Sequence, residues 1–309
     1  MIVERPEPNN AKPDSGSEPP LSQWSEILEH ERLRSCAAHL DRVVVLGDTT
    51  STQDALRKEA TPEERVLVLA SRQTAGRGRL GRQWADTGAQ GVSMSFGLQL
   101  TEEHQRYISL LAAVATAGTI ESALATAASP RNPSGCDRVR IRWPNDIMLA
   151  TGSAAHHTHA LDTHSLDTHS LDTHALAKIA GILIERTTSH TIIGIGINVR
   201  QRDEDWSHEL RSAAISLRQA GCALSRLTVA TLLMGSLCTW LDSTDDEIMR
   251  SYRTRDCLLG TVQTFLYDNT RFRGRVLAID PTATLTVALE NGAHVHLPAQ
   301  ATSLVHSGE

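Results

Sequence analysis

Residues 73–84 read Gln73-Thr-Ala-Gly-Arg-Gly-Arg-Leu-Gly-Arg-Gln-Trp84, and this stretch is more informative than any other part of the chain. Three glycines alternate with three arginines, although the net charge of the chain is −6. Glycine lets the backbone approach another molecule closely, and arginine presents a planar, permanently charged donor group to phosphate or carboxylate. The stretch therefore predicts a mobile cationic loop that closes over an anionic ligand.

The composition is that of an ordinary globular protein. The 309 residues are 40% hydrophobic and 21% charged, a length that allows about two domains with sizeable cores. The five cysteines are scattered, odd in number and without a Cys-x-x-Cys pair, which favours reduced thiols in a cytoplasmic protein. The sequence has no apolar run of about 18 residues and no signal-like N-terminus, so it predicts neither a membrane span nor export.

Hydrophobic periodicity divides the chain into a tail, a mixed region and a β region. Residues 1–20 are rich in Pro, Asn, Ser and Glu, which predicts a disordered tail. Apolar spacing predicts helices near 21–40, 53–60, 108–128 and 229–241, and strands near 43–46, 66–70, 92–100, 138–142, 179–185 and 191–199. Ser51 and Asp54 fit a capping box at the start of the second helix. From residue 258 onwards, short strands separated by turns predict a small antiparallel barrel, so we place a domain boundary after residue 257.

Residues 152–177 form an insert of unusual composition. Leu-Asp-Thr-His recurs there with a period of five residues, and six histidines fall within 19 residues. A period of five fits neither a strand nor one face of a helix. The pattern predicts a solvated low-complexity insertion, with binding of Zn²⁺ or Ni²⁺ by Asp and His as the alternative.

Five motifs follow one another along the chain. They are Ser51-Thr52, the loop at 73–84, Arg142-Trp143-Pro144-Asn145-Asp146, Lys178-Ile-Ala-Gly-Ile-Leu183 and Gly194-Ile-Gly-Ile-Asn-Val199. In this order they resemble the motifs of biotin–protein ligases, over about residues 43–305. The resemblance implies an α+β fold, in which a mixed-sheet catalytic domain of the biotin/lipoate ligase type, with helices on one side, occupies 21–257. A small SH3-like β-barrel at 258–309 would follow it.

The resemblance also implies an activity. Biotin–protein ligases use ATP to join biotin to a lysine of the biotin carboxyl carrier domain of acetyl-CoA or acyl-CoA carboxylase. The reaction passes through biotinyl-5′-AMP, with biotin and ATP as substrates and Mg²⁺ as the metal. By the same resemblance, the barrel aids the engagement of ATP and of the carrier.

The resemblance assigns roles to individual residues. Those expected to bind biotin are Ser51, Thr52, Gln53, Gln73, Arg77, Gly78, Arg79, Lys178 and Gly181. Those expected to bind ATP or the adenylate are Gly76, Arg79, Trp84, Arg142, Asn145, Lys178 and Asn198. Lys178 and Arg79 are the expected catalytic residues, and Asn145 and Asp146 are the candidate metal ligands.

The chemistry of adenylation explains why such residues are needed. The carboxylate of biotin must approach the α-phosphate, so cationic donors and Mg²⁺ have to hold two anions together. Because the adenylate is prone to hydrolysis, a loop that orders over it must keep water out. An amide such as that of Gln73 pairs in both directions with the ureido ring, and a point charge such as Lys178 suits both reactants.

Two positions depart from the pattern of the family. Arg142 stands where lysine is commoner, and Gln53 stands where the family usually has asparagine. Other residues have structural alternatives that the sequence leaves open. Ser51 could be a plain helix cap, Trp84 a core residue, and Gly181 a position that relieves packing.

Two other functions fit parts of the sequence. One is a lipoate- or octanoate-protein ligase of the same fold. The other is a non-catalytic RNA-binding protein that uses the Gly-Arg loop, which the acidic charge and the shortness of the loop disfavour. About 40 residues precede the first strand, so the sequence predicts no DNA-binding domain. The oligomeric state, monomer or homodimer, and the base that deprotonates the acceptor lysine are not assigned.

Overall fold

The computed structural model describes residues 18–127, 139–151, 176–280 and 284–305. The predicted tail up to residue 17 and residues 152–175 of the predicted insert lie outside the described residues. The α-helices are α1 (Leu21–Glu31), α2 (Thr52–Glu59), α3 (Glu102–Ala127), α4 (Arg226–Leu241) and α5 (Asp245–Arg253). The strands are β1 (Arg42–Thr49), β2 (Val66–Gln73), β3 (Gly76–Arg77), β4 (Gln83–Trp84), β5 (Gly91–Leu98), β6 (Val139–Arg142), β7 (Asp146–Ala150), β8 (Leu176–Arg186), β9 (Thr191–Asn198), β10 (Val262–Tyr267), β11 (Thr270–Asp280), β12 (Thr284–Leu289), β13 (His294–Pro298) and β14 (Ser303–Leu304).

Seven strands form the main sheet, in the order β1-β2-β5-β9-β8-β7-β6. β1 and β2 run parallel, with α2 between them in the chain, and every other neighbouring pair is antiparallel. This is the predicted mixed sheet. The sequence patterns do not predict β7 or α5, because β7 follows directly from the Trp-Pro-Asn turn and α5 is short and mostly polar.

The two faces of this sheet are covered differently. On β2, Leu67 and Leu69 point into the large core formed with α1, α3 and α4. Val66 and Val68 point to the opposite face and pack with Leu56 of α2. Side chains alternate between faces along a strand, so one strand contributes to two cores. The prediction that helices cover only one side of the sheet is therefore wrong for α2, which packs on the face opposite α1, α3 and α4. The part of that face that α2 does not cover is available for a site.

Helix α3 is apolar on nearly every side because it lies between the sheet and α4. An 18-residue window within its stretch His104–Thr126 has a mean hydropathy of 1.6, so the helix is long and apolar enough to cross a membrane by length and composition alone. However, 72% of that apolar window is buried inside the protein. Burial in the core of the described residues accounts for the composition of this helix.

The C-terminal strands form a separate five-stranded antiparallel sheet, in the order β13-β12-β11-β10-β14. Its core contains Phe265, Leu285 and Leu297, and Trp143 of the main domain packs into the same cluster. Gly292 has a φ of +82° in the predicted turn between β12 and β13, a conformation that glycine adopts without strain. The predicted SH3-like domain is thus present and contacts the turn that leads into β7.

The limits of the predicted tail and insert need two corrections. Glu18 falls within the predicted tail, but it forms ion pairs with Arg226 at 3.0 Å and with Arg200 at 2.9 Å. Leu176 and Ala177 fall within the predicted insert, but they are the first residues of β8. Ordered contacts therefore begin inside both predicted segments, at Glu18 in the tail and at Leu176 in the insert.

Candidate active site

A cleft lies beneath the hairpin β3–β4, on the face of the sheet opposite α3 and α4. It has about 1010 Å³ of space, part of it open to solvent. The predicted site residues that line it are Ser51, Thr52, Gln53, Gln73, Arg77, Gly78, Arg79, Trp84, Arg142, Asn145, Asp146, Lys178 and Gly181. Gly76 and Asn198 do not line it. Motifs that are more than 100 residues apart in sequence, such as Ser51-Thr52 and Lys178, therefore meet in one place.

The Gly-Arg loop is a short β-hairpin that folds over this cleft. Gly76 pairs with Trp84 and Arg77 pairs with Gln83, and the Gly78 amide donates to the Arg82 carbonyl at 2.8 Å. The chain reverses at the tip of the hairpin, where Leu80 and Gly81 have positive φ values of 54° and 74°. The described loop is therefore regular backbone structure whose arginines project from defined positions.

Trp84 lies flat on the sheet inside the cleft. A Cβ atom added to Gly181 would come within 2.7 Å of its ring, and one added to Gly196 within 2.8 Å. Both glycines thus make room for the indole, which gives Gly181 a packing role in the described structure. The Lys178 Nζ lies 5.5 Å from the ring centroid, close enough for a cation–π interaction.

A β-bulge in β8 places Lys178 on the site face. Met148 of β7 pairs with Lys178 and Ile147 pairs with Ala180, so Ile179 is an extra residue. In a regular strand, residues 178 and 181 would point to opposite faces because their separation is odd. The extra residue of the bulge shifts the alternation of side chains by one position. Lys178 and Gly181 therefore both face the cleft, while Ile179 and Ala180 are buried in the core.

Asn198 fixes the backbone at this bulge rather than lining the cleft. Its side-chain amide donates to the Lys178 carbonyl at 3.2 Å and to the Ile215 carbonyl at 3.1 Å. The Lys178 amide donates to the Ala213 carbonyl at 2.8 Å. In the described structure, the residue predicted to meet the adenylate therefore supports the backbone of the predicted catalytic lysine.

Asp146 joins two of the cations in the cleft. Its Oδ1 lies 2.5 Å from the Lys178 Nζ and its Oδ2 lies 2.9 Å from the Arg142 Nη2. Burial alone would raise the pKa of Asp146, but the charges of Lys178 and Arg142 outweigh it and hold this pKa below its ordinary value. The carboxylate is therefore ionised and orients both cations.

The two candidate metal ligands are occupied by cationic donors. Both oxygens of Asp146 are taken, and the Asn145 Oδ1 accepts from the Arg79 Nη1 at 3.2 Å. A divalent ion would compete with these cations, so the described arrangement does not fit a Mg²⁺ site held by the protein. No cluster of three or more metal-binding side chains occurs in the described ranges. Asn145 instead continues the β7–β8 pairing, because its carbonyl accepts from the Ile182 amide at 2.9 Å.

Arg77 lies in a network of four charges that sequence patterns do not reveal. Its Nη2 is 2.8 Å from Glu185 and 3.0 Å from Asp54. Arg57 contacts the same two carboxylates, each at 2.8 Å. The Arg77 Nε is buried and has no hydrogen-bond partner among the described residues. Glu185 could have been noticed, since it is an acid on the site face that directly follows the uncharged run 179–184.

Another part of the cleft lining is polar and uncharged. The Gln73 Oε1 accepts from the Thr52 amide at 2.7 Å and from the Thr52 hydroxyl at 3.0 Å. The Thr52 hydroxyl also bonds Ser95 at 2.7 Å. Ser51 occupies the N-cap of α2, but its side chain makes no capping bond to any described residue, so the predicted capping box does not form.

Gln53 has a packing role in the described structure. Its Nε2 donates to the Leu183 carbonyl at 3.0 Å, and its side chain covers Gly194. A Cβ atom on Gly194 would lie 2.9 Å from this amide. The glutamine that stands here in place of asparagine is therefore accommodated by Gly194 of β9, which has no side chain.

An α+β protein whose mixed sheet carries a cation-lined cleft of this kind is suited to hold an anionic ligand. Comparison with known proteins identifies the family within this structural class. The sequence profile of the Biotin/lipoate A/B protein ligase family matches residues 45–201. The chain belongs to this family.

Individual relatives agree with the family assignment. The bifunctional ligase/repressor BirA of Bacillus subtilis is 34% identical over 203 residues, which are 63% of this chain and 51% of that protein. A biotin–[acetyl-CoA-carboxylase] ligase of Mycobacterium tuberculosis is 26% identical over 248 residues, covering 79% of this chain and 80% of that protein. The chain thus spans about half the length of the BirA proteins that it matches.

Solved structures show the same fold. A biotin protein ligase from Aquifex aeolicus, solved with biotin and ATP, superposes with a TM-score of 0.61 at 22% identity. The superposition covers 86% of this chain and 99% of that one. The agreement in fold therefore includes the C-terminal barrel as well as the main sheet.

Proposed function

We propose that this chain is an ATP-dependent ligase that joins biotin to a lysine of a biotin carboxyl carrier domain. Family membership supports an acyl ligase, and one observation carries the choice of reaction. The cleft is lined both by uncharged hydrogen-bonding groups, at Thr52 and Gln73, and by cationic groups, at Arg79 and Lys178. Biotin offers a partner to each, with a neutral ureido ring at one end and a carboxylate at the other.

The uncharged groups would bind the ureido ring. Because the Gln73 oxygen is already taken by Thr52, its amide group is left as a donor for the ureido carbonyl. The Ser51 hydroxyl is free of a capping bond and can pair with the same ring. Arg77 lines the same cleft, and its Nε, which lacks a described partner, is left as a donor for the carboxylate.

The cationic groups would carry the first step. The carboxylate oxygen of biotin attacks the α-phosphorus of ATP, and pyrophosphate leaves with the electron pair of the broken P–O bond. Lys178 and Arg79 line the cleft; Lys178 would bridge the two anions, and Arg79 would stabilise charge on the phosphoryl oxygens. ATP would bind as its Mg²⁺ complex, in which the metal would supply further charge neutralisation.

The second step needs positioning more than acid–base groups. The ε-amine of the acceptor lysine loses a proton, attacks the acyl carbon and displaces AMP. The hairpin and the Trp84 ring cover the sheet face and would limit the access of water to the adenylate. The carrier domain of a carboxylase is the proposed partner, and the cytoplasm is the proposed location.

The test is ATP–pyrophosphate exchange with biotin, lipoate and octanoate as separate substrates. We expect exchange with biotin and its loss in Lys178→Ala. Lys58→Ala is the matched control, since Lys58 is an exposed lysine on α2 outside the cleft. Transfer of labelled biotin to a purified carrier domain then tests the second step.

The outcomes separate the candidate functions. Exchange with lipoate or octanoate but not biotin would move the chain to the lipoate branch of the family. An absence of exchange with all three acids, together with RNA binding that weakens as salt rises, would favour the RNA-binding alternative. Equal loss of exchange in the Lys58 and Lys178 variants would refute the role of Lys178.

A further inference from the structure

The side chain of Arg79 bridges the two domains. Its Nη2 donates to the carbonyls of Ala299 and Thr302, the latter at 3.1 Å, and its Nη1 donates to Asn145 at 3.2 Å. Ala299 and Thr302 belong to the turn between β13 and β14 of the barrel. Ser303 and Leu304, which follow this turn, line the same cleft as the hairpin. The barrel is therefore part of the wall that surrounds Arg79.

The partners of Arg79 differ from those of three other cations in the cleft. Arg77, Arg142 and Lys178 each contact a carboxylate. Arg79 is half-buried, and its hydrogen bonds within the described ranges go only to neutral oxygens. Burial lowers the pKa of Arg79 and the charge of Asp146 opposes this, but a guanidinium stays protonated. Carbonyls thus hold the group in place without neutralising it, which leaves its charge for an anion in the cleft.

The turn that supplies these carbonyls is held by one buried hydroxyl. Thr302 is fully buried, and its Oγ1 donates to the Pro298 carbonyl at 2.6 Å. The Ala301 amide donates to the same carbonyl at 3.3 Å. These two bonds close the turn, so that the carbonyls of Ala299 and Thr302 converge on one nitrogen of Arg79. Pairing of β14 with β10 anchors the turn to the barrel.

We propose that Thr302 is a positioning residue for Arg79. It shapes the barrel turn whose carbonyls aim the guanidinium at the phosphoryl group of the bound nucleotide. The proposal rests on the proposed adenylation for its effect on rate, but the positioning itself exists without substrate. The barrel then contributes to the reaction through main-chain carbonyls, which the Thr302 hydroxyl holds in place.

The experiment compares Thr302→Val with Thr302→Ser, which keeps the hydroxyl. Thr286→Val is the matched control, because the Thr286 hydroxyl contacts His296 on the exposed side of the barrel, away from the turn. In pyrophosphate exchange, we expect Thr302→Val to raise the KM for ATP about fivefold or more, and to raise the KM for biotin less. Thr302→Ser and Thr286→Val should behave as the unmodified protein. In an Arg79→Ala background, Thr302→Val should have no further effect.

A second measurement needs no catalysis. Hydrogen exchange of the Gly78 and Arg82 amides, which close the hairpin, should quicken to a similar degree in Thr302→Val and Arg79→Ala, but not in Thr286→Val. Independent effects of Thr302→Val and Arg79→Ala on both measurements would overturn the proposal, as would unchanged amide exchange in Thr302→Val. If the unmodified protein shows no biotin-dependent exchange, the proposed function fails, and the amide measurement still decides the role of Thr302.

Discussion

Replacement of Gly181 by alanine tests the packing of Trp84 on the sheet. The added Cβ would lie 2.7 Å from Cζ3 of the Trp84 ring and 3.2 Å from Nζ of Lys178. Ordinary van der Waals contact begins at 3.4 Å, so the ring has to move by at least 3.4 − 2.7, or about 0.7 Å. Gly196 contacts the same ring from the neighbouring strand, and the ring therefore has to move outwards with the hairpin.

The expected cost follows from overpacking. Extra methyl groups in well-packed interiors typically cost about 1–3 kcal/mol. For a domain of this size, each kcal/mol lowers the melting temperature by about 2–4 °C. Displacement of a catalytic group by about 1 Å costs on the order of 100-fold in rate. We therefore expect Gly181→Ala to melt several degrees lower and to lose most pyrophosphate exchange.

Calorimetry and exchange kinetics on three variants make the test specific. Gly47→Ala on β1 is the control, since no described heavy atom lies within 4 Å of its added Cβ. Trp84→Phe in the Gly181→Ala background removes the clashing ring atom, so the double variant should be more stable than the sum of the single effects indicates. If Gly181→Ala melts and reacts like Gly47→Ala, the ring does not pack on Gly181 and the described geometry of the cleft is wrong.

Three further predictions concern charge and support around the site. Lys178 and Arg142 depress the pKa of the Asp146 carboxyl in the folded state, so its charge stabilises the fold above about pH 4 and this stabilisation is lost as pH falls. Asp146→Asn should remove this contribution. Urea unfolding from pH 3 to 7 measures the free energy of unfolding of both proteins. Asn198→Ala should lower kcat for exchange and change KM less. The substitution loosens the backbone that carries Lys178 but removes no residue that lines the cleft, and steady-state kinetics would measure kcat and KM separately. Burial raises the pKa of Asp256 to about 6. As pH rises from 4 through 6, the free energy of unfolding of the unmodified protein should therefore fall by up to about 3 kcal/mol relative to that of Asp256→Asn. A difference between the two proteins that stays constant over this pH range would refute the reasoning.

The parts of the fold with a strong period can be predicted from sequence. β5 alternates apolar and small polar residues, and it is found at Gly91–Leu98, which overlaps the predicted 92–100 from residue 92 to residue 98. The Ala-rich run ending near residue 128 is helix α3. The hairpins of the barrel follow their turn residues. In each case one local pattern decides the element, because burial on one face or on all faces leaves its own trace in the sequence.

The geometry at Lys178 could not be predicted in this way. The motif Lys-Ile-Ala-Gly-Ile-Leu places Lys178 and Gly181 three residues apart, which in a regular strand would put them on opposite faces. Only the pairing with β7, a strand that sequence patterns do not predict, shows that Ile179 is bulged. A one-residue shift in register depends on tertiary pairing, and the resemblance to a family supplied the role of Lys178 without supplying its orientation.

Contacts made by main-chain atoms are equally hidden from sequence. The carbonyls that hold Arg79 belong to Ala299 and Thr302, and neither residue type suggests a partner for arginine. Every residue has a carbonyl, so only the fold decides which ones converge. The carboxylates at Asp54 and Glu185 were visible as charges, but the sequence did not indicate that both would face Arg77.

The distribution of charge in the cleft explains how an acidic chain can bind two anions. Among the described residues, four arginines and Lys178 line the cleft together with one carboxylate, that of Asp146, which gives the lining an excess of 5 − 1 = 4 positive charges in a chain of net charge −6. Clefts lined by one sign of charge focus the field and raise the local concentration of the opposite ion. Asp146 limits repulsion between Lys178 and Arg142 before a ligand arrives, and the carbonyls hold Arg79 without reducing its charge. An incoming carboxylate therefore has to share cations that are already paired, whereas a phosphoryl group near Arg79 meets an uncompensated one. This difference predicts that salt weakens the binding of ATP more than the binding of biotin, which titrations at two ionic strengths would measure. Equal salt dependence for the two ligands would show that the pairing seen around Asp146 does not control access to the cleft.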